Sequence, residues 1–193
     1  DMGFPAAFYG GSTANVAKMA ENLGDPFALV SRGINVKVYP SCLGTHRAID
    51  AMLHLIDLYD IKPEEVESVD CRTSPRYRKI LFYDDATTGF EGKFSIPFVM
   101  AAALSERKVG LAQFTDDTVN DPIIKSLMKR VTCRVHPDWV EGKDTDSRPD
   151  VVIVKLKNGK ELSHEIATPK GSPQIPLSEE ELLTKYRECA KFV

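Results

Sequence analysis

Residues 37–46 read Lys-Val-Tyr-Pro-Ser-Cys-Leu-Gly-Thr-His, which puts an ammonium, a phenol, a thiol and an imidazole into one short segment. The order suits an anion. Lys37 can pair with a carboxylate, and His46 can take or give a proton near neutral pH. Pro40 and Gly44 steer the chain into the start of a helix, where unpaired N–H groups and a partial positive charge favour bound carboxylates. Tyr39 and Ser41 are candidate hydrogen-bonding groups for the same ligand. Cys42 is a candidate thiol nucleophile, although a thiol near a helix start needs a positioned base. His46 falls in phase with Ile49, Leu53 and Ile56, so it faces inward, and a plain core histidine stays open as the other reading of that position.

A second glycine-bearing entry to a helix runs from Gly89 to Ser95. Lys93 stands just before Ser95, a good N-cap residue, so both are candidate substrate-binding groups. Packing against a buried helix explains such glycines equally well. The spacing is not that of a phosphate-binding GxxxxGK[ST] loop. Tyr83, ahead of Asp84-Asp85, is a further candidate. His136 and His164 have no third donor at metal-ligand spacing, so no metal is expected.

Composition narrows the function classes. A formal net charge of −3 argues against a nucleic-acid partner, and no apolar run reaches the ~20 residues of a membrane span. Cys42, Cys71, Cys133 and Cys189 are scattered without a CxxC pair, which fits a reducing, cytoplasmic setting better than disulfides. The chain starts at Asp1 without an initiator methionine and stops inside an amphipathic pattern. A piece of a longer protein is expected.

These groups must be held by regular elements. Residues 13–23 predict a helix stopped by Gly24, and 33–40 an extended segment. Thr45 is expected to cap a helix to about Tyr59 that buries Ile49, Met52, Leu53 and Ile56. Val66–Thr73 reads as a strand with neither face cleanly apolar, and a short strand is expected at Ile80–Tyr83. Residues 95–105 are apolar around the whole circumference, predicting a helix buried on every side. Asp121-Pro122 opens another helix to about Lys129, then a strand at Val131–Val135. Val151–Leu156 and Glu161–Ala167 flank a tight Asn158-Gly159 hairpin turn whose two residues accept positive φ. Gly142–Asp150 is expected as a loop and Pro169–Pro176 as a connector. Ser178 with Glu181 forms a capping box for a last helix. The mixture predicts an α+β fold: one two-layer domain over 1–193, with a mostly antiparallel sheet packed against helices.

The segment from Lys37 through Tyr39, Pro40, Ser41, Cys42 and His46 to Asp50-Ala51 resembles the K-x-Y-P-x-C-x-x-x-H-x-x-x-D-A region of the MmgE/PrpD family. Ile61–Val69, Thr88–Phe98, Asp121–Val131, Val152–Gly159, Pro169–Pro173 and Leu177–Tyr186 resemble its later landmarks in order, covering the chain from about residue 27. The resemblance implies a lyase or isomerase that dehydrates, decarboxylates or epimerises small di- or tricarboxylic acids without metal or organic cofactor. Relatives include 2-methylcitrate dehydratase, cis-aconitate decarboxylase and iminodisuccinate epimerase. It also implies that this chain is the smaller α+β lid of a homodimeric enzyme. A large helical domain would precede it, with residues 1–25 and 178–193 as helical links. Lys37 and the loop after it would approach the substrate. Animal decarboxylases carry histidine at the position of Cys42, a departure that argues against their mechanism here. The competing reading is a non-catalytic carboxylate-binding or dimerisation module.

Overall fold

A computed structural model describes residues 21, 23–140 and 148–192. The chain divides into a unit of residues 1–35 and a larger unit from Val36 onward. The first unit's described part holds a short helix, α1 (Ala28–Arg32), with no buried residue. The helix expected at 13–23 and most of the loop at 142–150 fall outside the described residues.

The larger unit is built on four strands, β1 (Val66–Thr73), β2 (Val131–Val135), β3 (Asp150–Leu156) and β4 (Glu161–Ile166). Their order is β2-β1-β3-β4, with β1 and β2 parallel and the other two pairs antiparallel. The helices are α2 (His46–Tyr59), α3 (Pro75–Ile80), α4 (Gly89–Gly92), α5 (Ile96–Glu106), α6 (Asp116–Val119), α7 (Pro122–Met128) and α8 (Glu179–Ala190). The long crossover from β1 to β2 carries α3 to α7, as a parallel pair requires. This is the expected α+β architecture.

Side chains of one sheet face, Val66, Val69, Cys71, Val152, Val154 and Leu162 among them, are buried beneath the helices. Helix α2 lies against β3 and β4, α5 against β2, and the two helices against each other. Every residue of α5 from Ile96 through Leu104 is buried, the consequence of its all-round apolar surface. Strand β1 looked unpatterned because a bulge between Val66 and Ser68 shifts the register, turning both Val66 and Val69 inward. On the other face Asp70 is gripped by Arg72 at 2.8 Å and by Arg134 at 2.7 and 2.6 Å.

Caps bound the helices much as the sequence signals. Ser95, Asp121 and Ser178 accept backbone N–H groups at the starts of α5, α7 and α8. Helices α2 and α5 end on left-handed residues, Asp60 and Arg107, which pair with each other at 3.0 Å.

Three local expectations are corrected. Pro75–Ile80 is helical, because Ser74 caps α3 and Pro75 fits its first turn, and 81–83 have no regular structure, so no strand forms at 80–83. Thr45 does not cap α2 with its side chain; the hydroxyl turns back onto the Cys42 carbonyl at 2.9 Å. In the hairpin only Gly159 has positive φ (85°), while the Asn158 side chain accepts from Lys160 N at 2.9 Å. That matches a turn ending in a left-handed glycine rather than one with two left-handed residues.

Candidate functional site

The chain passes the 169–175 connector at Val36, whose N–H donates to the Gly171 carbonyl at 2.7 Å, and then bends through 38–41 instead of staying extended to Pro40 as expected. Gly171 has φ of 83°, and a Cβ there would stand 2.0 Å from the Val36 oxygen, so glycine is needed for this close approach. The strip then delivers Lys37, Tyr39 and Ser41 to the start of α2. A 3-10 turn, Leu43–Thr45, leads into that helix, whose start carries no side-chain cap.

Lys37 is exposed along its stem, but its ammonium folds back to the Ser41 carbonyl at 3.1 Å. His46 is wholly buried, and neither ring nitrogen has a hydrogen-bond partner. Burial lowers its pKa to about 4, the Lys37 charge adds to the effect and that of Lys185 contributes a little more. Carbonyls of Ser41 and Tyr39 pull in the opposite sense without closing a hydrogen bond. His46 is thus a core histidine by location and a neutral, unsatisfied one by chemistry. An orphaned buried imidazole costs free energy that a proton, a water or a ligand would recover.

Tyr39 packs edge-on to the imidazole, the ring centroids 5.1 Å apart. Its hydroxyl donates to Asp50 Oδ1 at 2.7 Å, and Asp50 Oδ2 accepts Lys170 N–H at 2.9 Å. Desolvation raises both pKa values, and the carboxylate adds to the rise at the phenol. Ser41 is buried, and its hydroxyl lies 2.7 Å from that of Thr45. Because the Thr45 proton goes to the Cys42 carbonyl, Ser41 must be the donor of that pair.

The two segments singled out in the sequence meet. Cys42 N–H donates to the Lys93 carbonyl at 2.9 Å, setting the half-buried Cys42 and Lys93 beside one another. The donors at the start of α4, however, are spent inside the protein: Gly89 N–H on Asp116 at 2.7 Å and Glu91 N–H on Thr88 at 3.2 Å. Ser95 is fully buried, its hydroxyl accepting Phe98 N–H at 3.1 Å. Tyr83 stacks on Phe82 at 4.3 Å, and no hydrogen bond or ring contact joins it to Lys37, Tyr39 or His46.

Two charged residues of α2 to which the sequence reading gave no role matter here. Asp50 is half-buried, with Lys170 N–H of the connector donating to it. Arg47 is buried and pairs with Asp150 at 2.8 Å; its guanidinium also reaches the Arg148 and Ala167 carbonyls at 3.0 and 3.3 Å and lies over the Tyr77 ring. It fastens the start of α2 to the sheet.

A cavity of about 210 Å³ adjoins this cluster, with Tyr39, Pro40 and Lys185 in its wall. Another hollow, near Pro63 and Pro122, offers one cation, Arg130, whose guanidinium already donates to the Pro63 and Val66 carbonyls. No group of three or more His, Cys, Asp or Glu side chains among the described residues could hold a metal ion, and no described helix is long and apolar enough to cross a membrane.

The model of the MmgE/PrpD C-terminal domain matches residues 39–193. The chain is also similar to mouse (Mus musculus) cis-aconitate decarboxylase, with 26% identity over 169 residues. That covers 84% of this chain and 34% of the relative, so the chain spans about a third of the relative's length.

Proposed function

The chain belongs to the MmgE/PrpD family, and from that premise we propose that it is the substrate-covering C-terminal domain of a lyase or isomerase acting on small di- or tricarboxylates. The reaction is dehydration, decarboxylation or epimerisation, opened by removing a proton, or CO₂, next to a carboxylate. The enzyme needs neither metal nor organic cofactor. A helical domain beyond this chain completes the cleft, the whole works as a cytoplasmic homodimer, and this domain alone is inactive.

One observation carries the reading. A lysine ammonium and a neutral, unpartnered imidazole are set together at the start of α2, where the 3-10 turn already takes the Thr45 and His46 N–H groups. Negative charge that builds on carboxylate oxygens during such a reaction is stabilised by fixed cations and N–H dipoles, commonly by several kcal/mol. In this reading Lys37 pairs with a substrate carboxylate. His46, kept neutral, is ready to accept a proton or to lend one once an anion arrives, while Tyr39 and Ser41 shape the loop and Cys42 and Lys93 line its approach. The name of the mouse relative, a decarboxylase of a tricarboxylic acid, fits this substrate class.

The test is to incubate the full-length protein with 2-methylcitrate, cis-aconitate and iminodisuccinate, following each by proton NMR. Turnover of one supports the proposal. Failure to bind or turn over any of them sinks it.

A further inference from the structure

Of the cysteines that the sequence scatters, the fold brings two together. Strands β1 and β2 run parallel, with Cys71 directly opposite Cys133. Cys71 is wholly buried, and Cys133, on the edge strand β2, is only 7% exposed. Val69 and Val131, two residues before each, are buried opposite one another on the same face, so both thiols point under the helices. Neighbouring strands lie about 4.7–4.9 Å apart, inside the roughly 4.4–6.8 Å that the Cα atoms of a disulfide span. Both thiols are free in this structure, as are the half-buried Cys42 and the exposed Cys189. The Cys133 thiol, at hydrogen-bonding range, and burial next, hold the Cys71 pKa well above the ordinary thiol value.

We propose that Cys71 and Cys133 are a redox modification site, which a small hydroperoxide converts into a disulfide joining β1 to β2. In a reducing compartment the pair rests as two thiols. Cys133 reacts first, because it alone of the two has any exposure. Its thiolate attacks one oxygen of hydrogen peroxide, the O–O bond breaks, and a sulfenic acid forms on Cys133. The departing hydroxide takes up the proton that the thiol released, giving water. Cys71 then attacks the Cys133 sulfur: the S–S bond forms, the S–O bond breaks, and the oxygen leaves as a second water with the Cys71 proton. Two thiols and one peroxide thus give one disulfide and two waters; the sulfurs lose two electrons and the peroxide gains them. The oxidant has to be small, since the edge strand leaves so little of Cys133 open. The bond closes a loop of about 60 residues and so removes freedom from the unfolded chain. That loop is the crossover of α3 to α7, which carries Lys93.

The test treats the native full-length protein with hydrogen peroxide, removes the excess with catalase, alkylates the remaining thiols in urea, and maps tryptic peptides without reductant. Residues 48–72 and 131–134 should appear as one linked species, lighter than the two peptides together by two hydrogens, and dithiothreitol should separate them. The linked protein should melt at least about 4 °C above its reduced form. Cys133→Ser should abolish both the link and the rise under the same treatment. If that variant fails to fold, Cys71→Ala is measured in its place, and the wild-type peptide map needs neither. Recovery of both peptides unlinked and alkylated, after the exposed Cys189 has been oxidised, overturns the proposal. So does a link that forms only in the urea-unfolded chain, or one that leaves the melting temperature unchanged.

Discussion

Tyr39 gives its only hydroxyl proton to Asp50, eleven residues further on, at 2.7 Å. The phenol therefore meets a ligand as an acceptor or as a ring, not as a donor. The same carboxylate holds Lys170 N–H, so one acidic side chain ties the strip before α2 to the connector that covers it.

Removing either member leaves a half-buried polar atom unpaired, which costs about 1–3 kcal/mol. Tyr39→Phe and Asp50→Ala should each lower the urea midpoint. The double variant should lose less than the sum, with a coupling of about 0.5–3 kcal/mol in a double-mutant cycle. Simple additivity would mean that the hydrogen bond contributes nothing.

Lys37→Ala in the full-length enzyme should cost at least about ten-fold in kcat/KM, which corresponds to about 1.4 kcal/mol of transition-state binding. Its ammonium already sits against the helix start, so steady-state kinetics on this one variant is decisive. A wild-type value removes Lys37 from the site.

His46 gives the domain an acid limb. Its folded pKa of about 4 lies below the ordinary value of 6.5, so the unfolded chain binds the proton more readily. Stability from this group is complete above pH 6.5 and is lost progressively as the pH falls toward 4, by about 3 kcal/mol in all. Urea titrations at pH 7, 5.5 and 4 should show that slope, and His46→Gln should flatten it. An imidazole resonance titrating near pH 6.5 would contradict the burial.

Arg47 and Asp150 form a pair whose side chains are 6% and 1% exposed. Asp150→Ala takes the carboxylate from a buried guanidinium and should destabilise the domain by about 3–5 kcal/mol, whereas replacing both partners by apolar residues of similar size should recover much of that. Burial outweighs the arginine and lifts the Asp150 pKa to about 6. Its own contribution to stability is thus fullest below pH 3.8 and is lost as the pH rises through 6. Relative to wild type, Asp150→Asn should accordingly gain ground between pH 4 and pH 7 in thermal melts.

Gly171→Ala should lower Tm by about 4–8 °C. A positive φ on alanine costs about 1–2 kcal/mol, the new Cβ meets the Val36 carbonyl at 2.0 Å, and each kcal/mol is about 2–4 °C in a domain of this size. Calorimetry on this variant also reports whether the strip carrying Lys37 is locked or loose.

Local chemistry made much of the fold readable. Ser95, Asp121 and Ser178 announce their helices because a cap needs only the residues beside it, and Gly159 announces the hairpin for the same reason. The strand expected at 80–83 failed for a local reason too: Ser74-Pro75 is a helix start that a short apolar run disguised. Distant contacts were not readable. Nothing within α2 says that the connector 120 residues away will cover Asp50, or that Arg47 will find Asp150. At the site, the type and order of Lys37, Tyr39 and His46 were visible in the sequence. The direction of the Tyr39 proton and the spent donors at Gly89 were not, because each depends on a partner from elsewhere in the chain.

The strand order β2-β1-β3-β4 puts the first of the described strands in the interior of the sheet, and both its neighbours come much later in the chain. On a ribosome elongating at about 5–20 residues per second, β1 would wait roughly 3–12 s for β2 to emerge, and longer for β3. Throughout that interval Val66, Val69 and Cys71 stand on a strand with two open edges.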